Sequence, residues 1–243
     1  MNEQPLHLTL YLSSPQPCSY LARRATQSLF ADPQGIMDTQ IYDQLVQQGF
    51  RRSGRLVYRP QCPECQQCHA TRLPIVTFRP RRRHRRVLRT NRDLRIVPVP
   101  STFHEEHFTL YGRYIRARHA GGSMVESSVR EYMDFLVAEW CTTDFLEIRQ
   151  DDQLLGVAVT DHLTDGLSAV YTFFDPDLPE RSLGTWAILA QIERARELGR
   201  SWLYLGYWIR DCEKMRYKTG FRPIELYDGQ DWHRFGVNET IEL

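Results

Sequence analysis

No apolar run in the chain approaches the ~20 residues a membrane span requires. The first residues place no cationic patch ahead of a continuous apolar core, so no export signal is expected. Lysine is nearly missing. Of 31 Lys and Arg residues only Lys214 and Lys218 are lysines, so the positive charge is carried almost wholly by guanidinium, which forks onto phosphate and stacks on bases. A GC-rich genome would produce the same preference for Arg, but it would not produce clustering. Six cysteines in 243 residues are too few for a disulfide scaffold. Three of them stand at two-residue spacings, which points to metal or redox chemistry in a reducing, cytoplasmic setting. The histidines show no spacing that marks a metal site or a nucleophile's base. His104, His107, His119, His162 and His233 read as surface or interface residues, and no acyl-enzyme nucleophile is evident.

What is present is unevenly placed. Residues 1–120 carry 19 Lys and Arg against 8 Asp and Glu, a net of +11, whereas residues 121–243 carry 12 against 22, a net of −10. A basic half that meets an anion and an acidic half with another task are expected from such a split. The basic half concentrates its signal in one stretch. Cys62-Pro-Glu-Cys65-Gln-Gln-Cys68 precedes a run holding Arg79, Arg81, Arg82, Arg83, Arg85, Arg86, Arg89, Arg92 and Arg95. Three thiolates at this spacing can turn back on one ion, zinc or an iron–sulfur cluster. Cys18 is the candidate fourth ligand and His69 the reserve. The plain alternative is buried thiols without an ion, which is also the reading for Cys141 and Cys212. The Arg run lies between folded segments, so it reads as a phosphate-gripping face more than as a solvated tail. Such contacts position a nucleic acid without reading its sequence.

Periodicity organises the rest. A helix is expected from Thr39 to Gln48, capped by Asp38 and ended by Gly49, with strands at Arg55–Arg59 and Thr71–Val76 around the cysteines. Pro80 opens a basic helix reaching about Asn91. Val97-Pro-Val-Pro100 is extended and marks the expected boundary between residues 1–100, with cysteines and Arg run, and residues 101–243. Beyond it, Thr102-Phe-His-Glu105 reads as a capping box opening a helix that Gly121-Gly122 would close, and Ser128-Val-Arg-Glu131 opens a second. Three strands follow (Phe145–Arg149, Leu154–His162, Leu167–Phe174), then a helix from Ser182 to Leu198 closed by Gly199. Strand Trp202–Gly206, a short helix near Cys212–Lys218 and strand Arg222–Tyr227 complete the order. This is the element order of the GNAT acyltransferases. The expected fold is α+β, a GNAT-like domain with a mixed sheet flanked by helices, beside a smaller Cys-containing N-terminal domain.

Two further constellations carry chemistry. Tyr171-Thr-Phe-Phe-Asp175-Pro176 leads to Arg181-Ser-Leu-Gly184-Thr-Trp186, a strand-to-helix junction of the kind that holds phosphate on backbone N–H groups. Bulky Trp186 stands where a small residue should allow coenzyme A to approach, so a single phosphate or a terminal nucleotide is the expected occupant. Tyr204-Leu-Gly-Tyr207-Trp208 runs into Lys214-Met-Arg216-Tyr217-Lys218, aromatics and cations beyond a strand end. They suit a ligand with an apolar group and a negative charge. An amphipathic helix with its cations in water is the alternative.

These segments, with Pro17-Cys18-Ser-Tyr20-Leu21 and Tyr58-Arg-Pro-x-Cys-x-x-Cys-x-x-Cys68, resemble those of the bacterial aspartate/glutamate leucyltransferases, relatives of the arginyl-tRNA–protein transferases. The likeness runs from about residue 9 to 227. It implies transfer of leucine from Leu-tRNA to the α-amine of proteins beginning with Asp or Glu, creating an N-terminal degradation signal. It implies no DNA partner, no membrane, and no cofactor required for the chemistry. In that setting Arg79, Arg81, Arg82, Arg83, Arg85, Arg86 and Arg89, with Arg181 and Gly184, are expected on the tRNA. Lys214, Arg216 and Lys218 are expected on the acceptor's acidic side chain, and Tyr171, Tyr207, Tyr217 and Asp175 at the reacting groups. The alternatives are an acetyl-CoA-dependent N-acetyltransferase and a non-catalytic tRNA-binding protein.

Overall fold

The Asp38 side chain accepts a hydrogen bond from the Ile41 N–H at 2.8 Å and so caps α1 (Thr39–Gln47), and the chain leaves that helix through Gly49 at φ +82°. The structure is a computed structural model that describes residues 8–118 and 127–243; His119 and the Gly121-Gly122 stop lie outside them. Ahead of α1 run four short strands, β1 (Leu10–Leu12), β2 (Gln16–Pro17), β3 (Ala25–Thr26) and β4 (Ser28–Ala31). After it come β5 (Arg51–Ser53), β6 (Leu56–Pro60), β7 (His69–Pro74), the Arg-bearing α2 (Arg82–Thr90) and β8 (Leu94–Pro100). Then follow α3 (Glu105–Arg118), α4 (Val129–Leu136), β9 (Thr143–Gln150), β10 (Gln153–His162), β11 (Gly166–Phe174) and α5 (Leu183–Glu197). The chain ends with β12 (Trp202–Trp208), a 3₁₀ helix (Glu213–Gly220), β13 (Ile224–Tyr227) and β14 (Trp232–Phe235).

The fold is α+β around a mixed sheet of eight strands in the order β14-β13-β7-β12-β11-β10-β9-β8, in which β11 and β12 run parallel and the other neighbours antiparallel. Two of these strands come from the basic half. β7 is inserted between β12 and β13, and β8 pairs with β9 along its whole length. The Val97–Pro100 segment is extended as expected, and its prolines sit on the sheet's edge, where the missing N–H costs no ladder bond. The sheet thus spans the boundary expected at residue 100. A second sheet, β1-β4-β6-β5, packs with α1 against the large sheet through Tyr42, Val46, Phe50 and Val57 near Tyr204.

α3 and α4 cover one face of β9–β11, burying Leu110, Ile115, Leu136, Phe145 and Phe173. α5 covers the other with Leu183, Trp186 and Ile188. The Ser128–Glu131 capping box forms in both directions. The Thr102 box does not: α3 begins at Glu105, Phe103 remains exposed, and the Thr102 hydroxyl lies 3.3 Å from His104. His107 also departs from expectation. It is fully buried and hydrogen-bonded to Glu147 at 2.6 Å, because its position on α3 faces the sheet, where Glu147 and Arg149 supply a polar partner.

Candidate active site

β11 and β12 pair only from Gly166–Trp202 to Ser168–Tyr204. Beyond that point β11 stays with β10 and β12 with β7, so the two parallel strands diverge and their facing backbone groups separate. A bulge between Tyr204 and Gly206, with Gly206 at φ +71°, widens the parting. Arg51, from β5, fills it. Its Nη2 is 3.5 Å from the Val170 carbonyl and its Cζ 5.9 Å from the centre of the Tyr207 ring. A Cβ on Gly206 would stand 3.0 Å from Arg51 Nη1, so the glycine is the space the guanidinium occupies. The next residue points the other way, as strand alternation demands. Arg52 is buried in a two-pronged ion pair with Asp161, both contacts at 2.6 Å, which Thr143 and Tyr42 complete. Sequence reasoning missed Arg51; only the bare Arg-Arg pair after a glycine turn hinted at it.

The constellation after β12 converges on the same place. Lys218 is buried at 6% exposure and donates from Nζ to the Tyr207 carbonyl. Burial, reinforced by the Arg51 charge, lowers its ammonium to about 7. The Tyr207 hydroxyl lies 3.0 Å from the Gly49 carbonyl and 3.1 Å from that of Tyr58. Tyr20 and Tyr217 expose 44% and 49% of their surface, and the charge of Arg51 acts on both phenols. Burial of its ring pushes the Tyr217 phenol up to about 12, and it therefore holds its proton at neutral pH. Lys214 and Arg216 are exposed on the same 3₁₀ helix.

The remaining candidates lie elsewhere. Tyr171 is walled by Tyr111, Tyr114 and Phe135, and burial raises its phenol. Asp175 is held by Arg113 at 2.9 Å and by the Asp177 N–H at 3.0 Å. Arg181 forks onto Asp93 at 3.0 and 3.1 Å, and Gly184 backs onto Phe174. Trp186 turns into the core at 6% exposure, so its bulk does not stand at the helix N-terminus as the sequence suggested.

The Arg run forms a cationic face on and around α2. All nine guanidinium residues from Arg79 to Arg95 are exposed, and none forms a salt bridge among the described residues. Arg83 is the most committed, laid across Gly220 and donating to His84 at 3.1 Å. His84, fully buried, stacks on Phe221 at 4.7 Å and anchors the helix.

Cys18, Cys62, Cys65 and Cys68 are half-buried free thiols. They feel one another: burial and then the charges of Cys62, Cys65 and Cys18 push the Cys68 thiol up to about 12. Among the described residues no group of three or more His, Cys, Asp or Glu is arranged to hold an ion, so the donor set is present but not drawn together. A cavity of about 750 Å³ separates this knuckle from the β13–β14 turn, lined by Gln66, Gln67, His69, Tyr227, Asp228 and Gln230 among others.

Residues 16–86 match the family model described as the N terminus of arginine-tRNA-protein transferase, and residues 106–228 match the model of its C terminus. The chain belongs to the arginine-tRNA-protein transferase family. Its relatives in that family include the aspartate/glutamate leucyltransferases of Alkalilimnicola ehrlichii, 49% identical over 95% of this chain and 97% of that protein, and of Nitrosococcus oceani, 49% identical over 91% and 94%. That of Pseudomonas aeruginosa is 48% identical over 93% and 96%. Among solved structures, the C-terminal domain of a putative lysylphosphatidylglycerol synthetase from Agrobacterium fabrum reaches a TM-score of 0.48 at 14% identity, over 65% of this chain and 53% of that one, which is too slight a likeness to carry an argument. Within the family's two matched regions, the knuckle and most of the Arg run fall in the first, and Arg181 and Lys218 fall in the second.

Proposed function

We propose that the protein is an aminoacyltransferase that moves leucine from Leu-tRNA to the α-amine of proteins whose first residue is Asp or Glu. The observation that carries this is the near full-length match, at almost half identity, to relatives named for that activity. The guanidinium face supports the tRNA part of the reading, since phosphates would supply the charge that no carboxylate among the described residues provides. The sheet order, with its parted parallel strands, supports a GNAT-like reading of the transferase region. Neither rival class is favoured by the relatives' names.

The chemistry asks little of the protein. The donor is an activated ester, and an α-amine with an ordinary pKa of roughly 7.7–8.0 is partly neutral at physiological pH. The amine nitrogen attacks the ester carbonyl, the bond to the ribose oxygen breaks, and the departing oxygen takes the proton the amine gives up. Holding the two reactants together supplies on the order of 7–11 kcal/mol. Phenols that keep their protons suit donation to the carbonyl oxygen, and Tyr217 is the one of Tyr171, Tyr207 and Tyr217 that faces solvent. Asp175 is proposed as base with its carboxylate already engaged by Arg113, and the ribose hydroxyl would relay the proton where no side chain does. Arg79, Arg81, Arg82, Arg83, Arg85, Arg86 and Arg89 are proposed to hold the tRNA body. Arg181 and Gly184 would meet its 3′ end, Arg181 exchanging Asp93 for phosphate. Lys214 and Arg216 would attract the acceptor. Cys18, Cys62, Cys65 and Cys68 are proposed to bind a structural zinc or iron–sulfur cluster when drawn together; anaerobic purification followed by metal and labile-sulfide analysis tests it.

The deciding assay charges tRNA with radiolabelled leucine or arginine and offers a peptide beginning with Asp. Label is expected in the peptide from Leu-tRNA, with leucine as its new first residue. Uptake of acetyl from acetyl-CoA with no leucyl transfer would overturn the reading.

A further inference from the structure

Arg51 and Lys218 are neighbouring basic groups drawn into the protein, the charge of the first making the ammonium of the second harder to keep. Among the described residues neither has a carboxylate partner, although Arg52, one residue away, is fully paired with Asp161. Each reaches a backbone carbonyl instead, Arg51 that of Val170 and Lys218 that of Tyr207. The groups whose charges act on them most are phenols and a thiol (Tyr20, Tyr42, Tyr58, Tyr207 and Cys212) and no Asp or Glu. Removing a guanidinium from water without a counter-charge is unfavourable, and two such cations together more so. A fold keeps that arrangement where a ligand brings the missing charge.

Resting on the leucyl-transfer reading, we propose that this chamber is the pocket for the acidic side chain of the acceptor's first residue, with Arg51 as the group that binds its carboxylate and Lys218 as the second charge behind it. The guanidinium offers a planar fork matched to a carboxylate. The void at Arg51 measures about 20 Å³ and is lined by Val170, Gly206 and Tyr207 but not by Lys218, so it has room for one carboxylate oxygen on the guanidinium while the rest of the acid side chain lies outside it. Phosphate-sized anions have their own face on α2, which shares no residue with this chamber. Tyr217, the proposed carbonyl donor, is exposed and feels the Arg51 charge without lining the void. One pocket takes both acids because a single methylene changes discrimination only modestly, whereas replacing the carboxylate by an amide strands the cations.

The test compares kcat/KM for peptides beginning with Asp, Asn, Glu and Gln, at saturating Leu-tRNA, in wild type, Arg51→Gln and, as a control on the exposed face of α4, Arg130→Gln. Wild type is expected to prefer acid over amide by at least roughly 10²-fold. In Arg51→Gln that preference should collapse to a few-fold with the KM for Leu-tRNA unchanged, while Arg130→Gln keeps it. A preference that survives Arg51→Gln, or that is lost equally in Arg130→Gln, overturns the proposal, as does a raised tRNA KM with the preference intact. Should Arg51→Gln not fold, wild type decides alone. With only two lysines in the chain, ¹⁵N-lysine NMR separates Lys218 from Lys214. An Asp-peptide is expected to move the Lys218 signal and an Asn-peptide to leave it; the same response to both, or none at Lys218, refutes the pocket. Because this arm reads binding, it still answers if leucyl transfer itself is not observed, a result that would count against the functional reading alone.

Discussion

His84 shows how far one side chain's surroundings outrun its sequence context. It sits in the Arg run, yet it is fully buried between Phe78 and Phe221. N–H groups of Arg81 and Arg83 approach the two ring nitrogens, of which the neutral ring accepts at one, and a second proton would remove that acceptor. Burial, then the charges of Arg83 and Arg81, lower the imidazole from 6.5 to about 4. Between those values the unfolded chain binds a proton that the folded one refuses. Stability contributed by the neutral ring is therefore present above pH 6.5 and is lost as pH falls toward 4, by about 1–3 kcal/mol. Urea unfolding at pH 7 and pH 4.5 checks this, with His84→Phe expected to lose less on acidification than wild type. Arg51 and Arg52 make the same point: identical, adjacent residues, of which one closes a buried ion pair and the other waits in a parted sheet.

At the scale of the element, α2 carries the nucleic-acid prediction. His84 is its one fully buried residue and Val87 packs partly against the core, so the helix is held along one side and presents its guanidiniums outward. Replacing Arg82, Arg86 and Arg89 together by Gln should weaken tRNA binding at 50 mM salt and flatten the dependence of log K on log salt by about one for each phosphate no longer neutralised. Filter binding across a salt series measures it; an unchanged slope would remove α2 from the RNA interface. The helix itself was legible, from Pro80 and the Asn91 end, and so were α1, α4, α5 and the three strands β9–β11, whose caps and alternation are local. β1 to β4 were not legible, being two to four residues long with little alternation, and neither was β14.

For the whole molecule the decisive fact is that β7 and β8, both before residue 101, complete a sheet whose other strands come after it. A chain cut at residue 100 leaves β12 and β13 without the strand between them and exposes β9 as an edge. Residues 101–243 expressed alone are expected to lack a cooperative thermal transition, and co-expression with residues 1–100 to restore one; a sharp independent melt would show two separable domains. The sequence by itself determined the charge split, the cysteine spacing, the caps of α1 and α4 and the family, because each rests on residue identity or on spacing within one segment. Tertiary structure decided the insertion of β7, the divergence of β11 from β12, and the meeting of Arg51 with Lys218. These depend on pairings between separate segments, of β11 with β12 across 36 positions and of β7 with β12 and Arg51 with β11 across more than a hundred, which the energy of the folded sheet selects and no local pattern records.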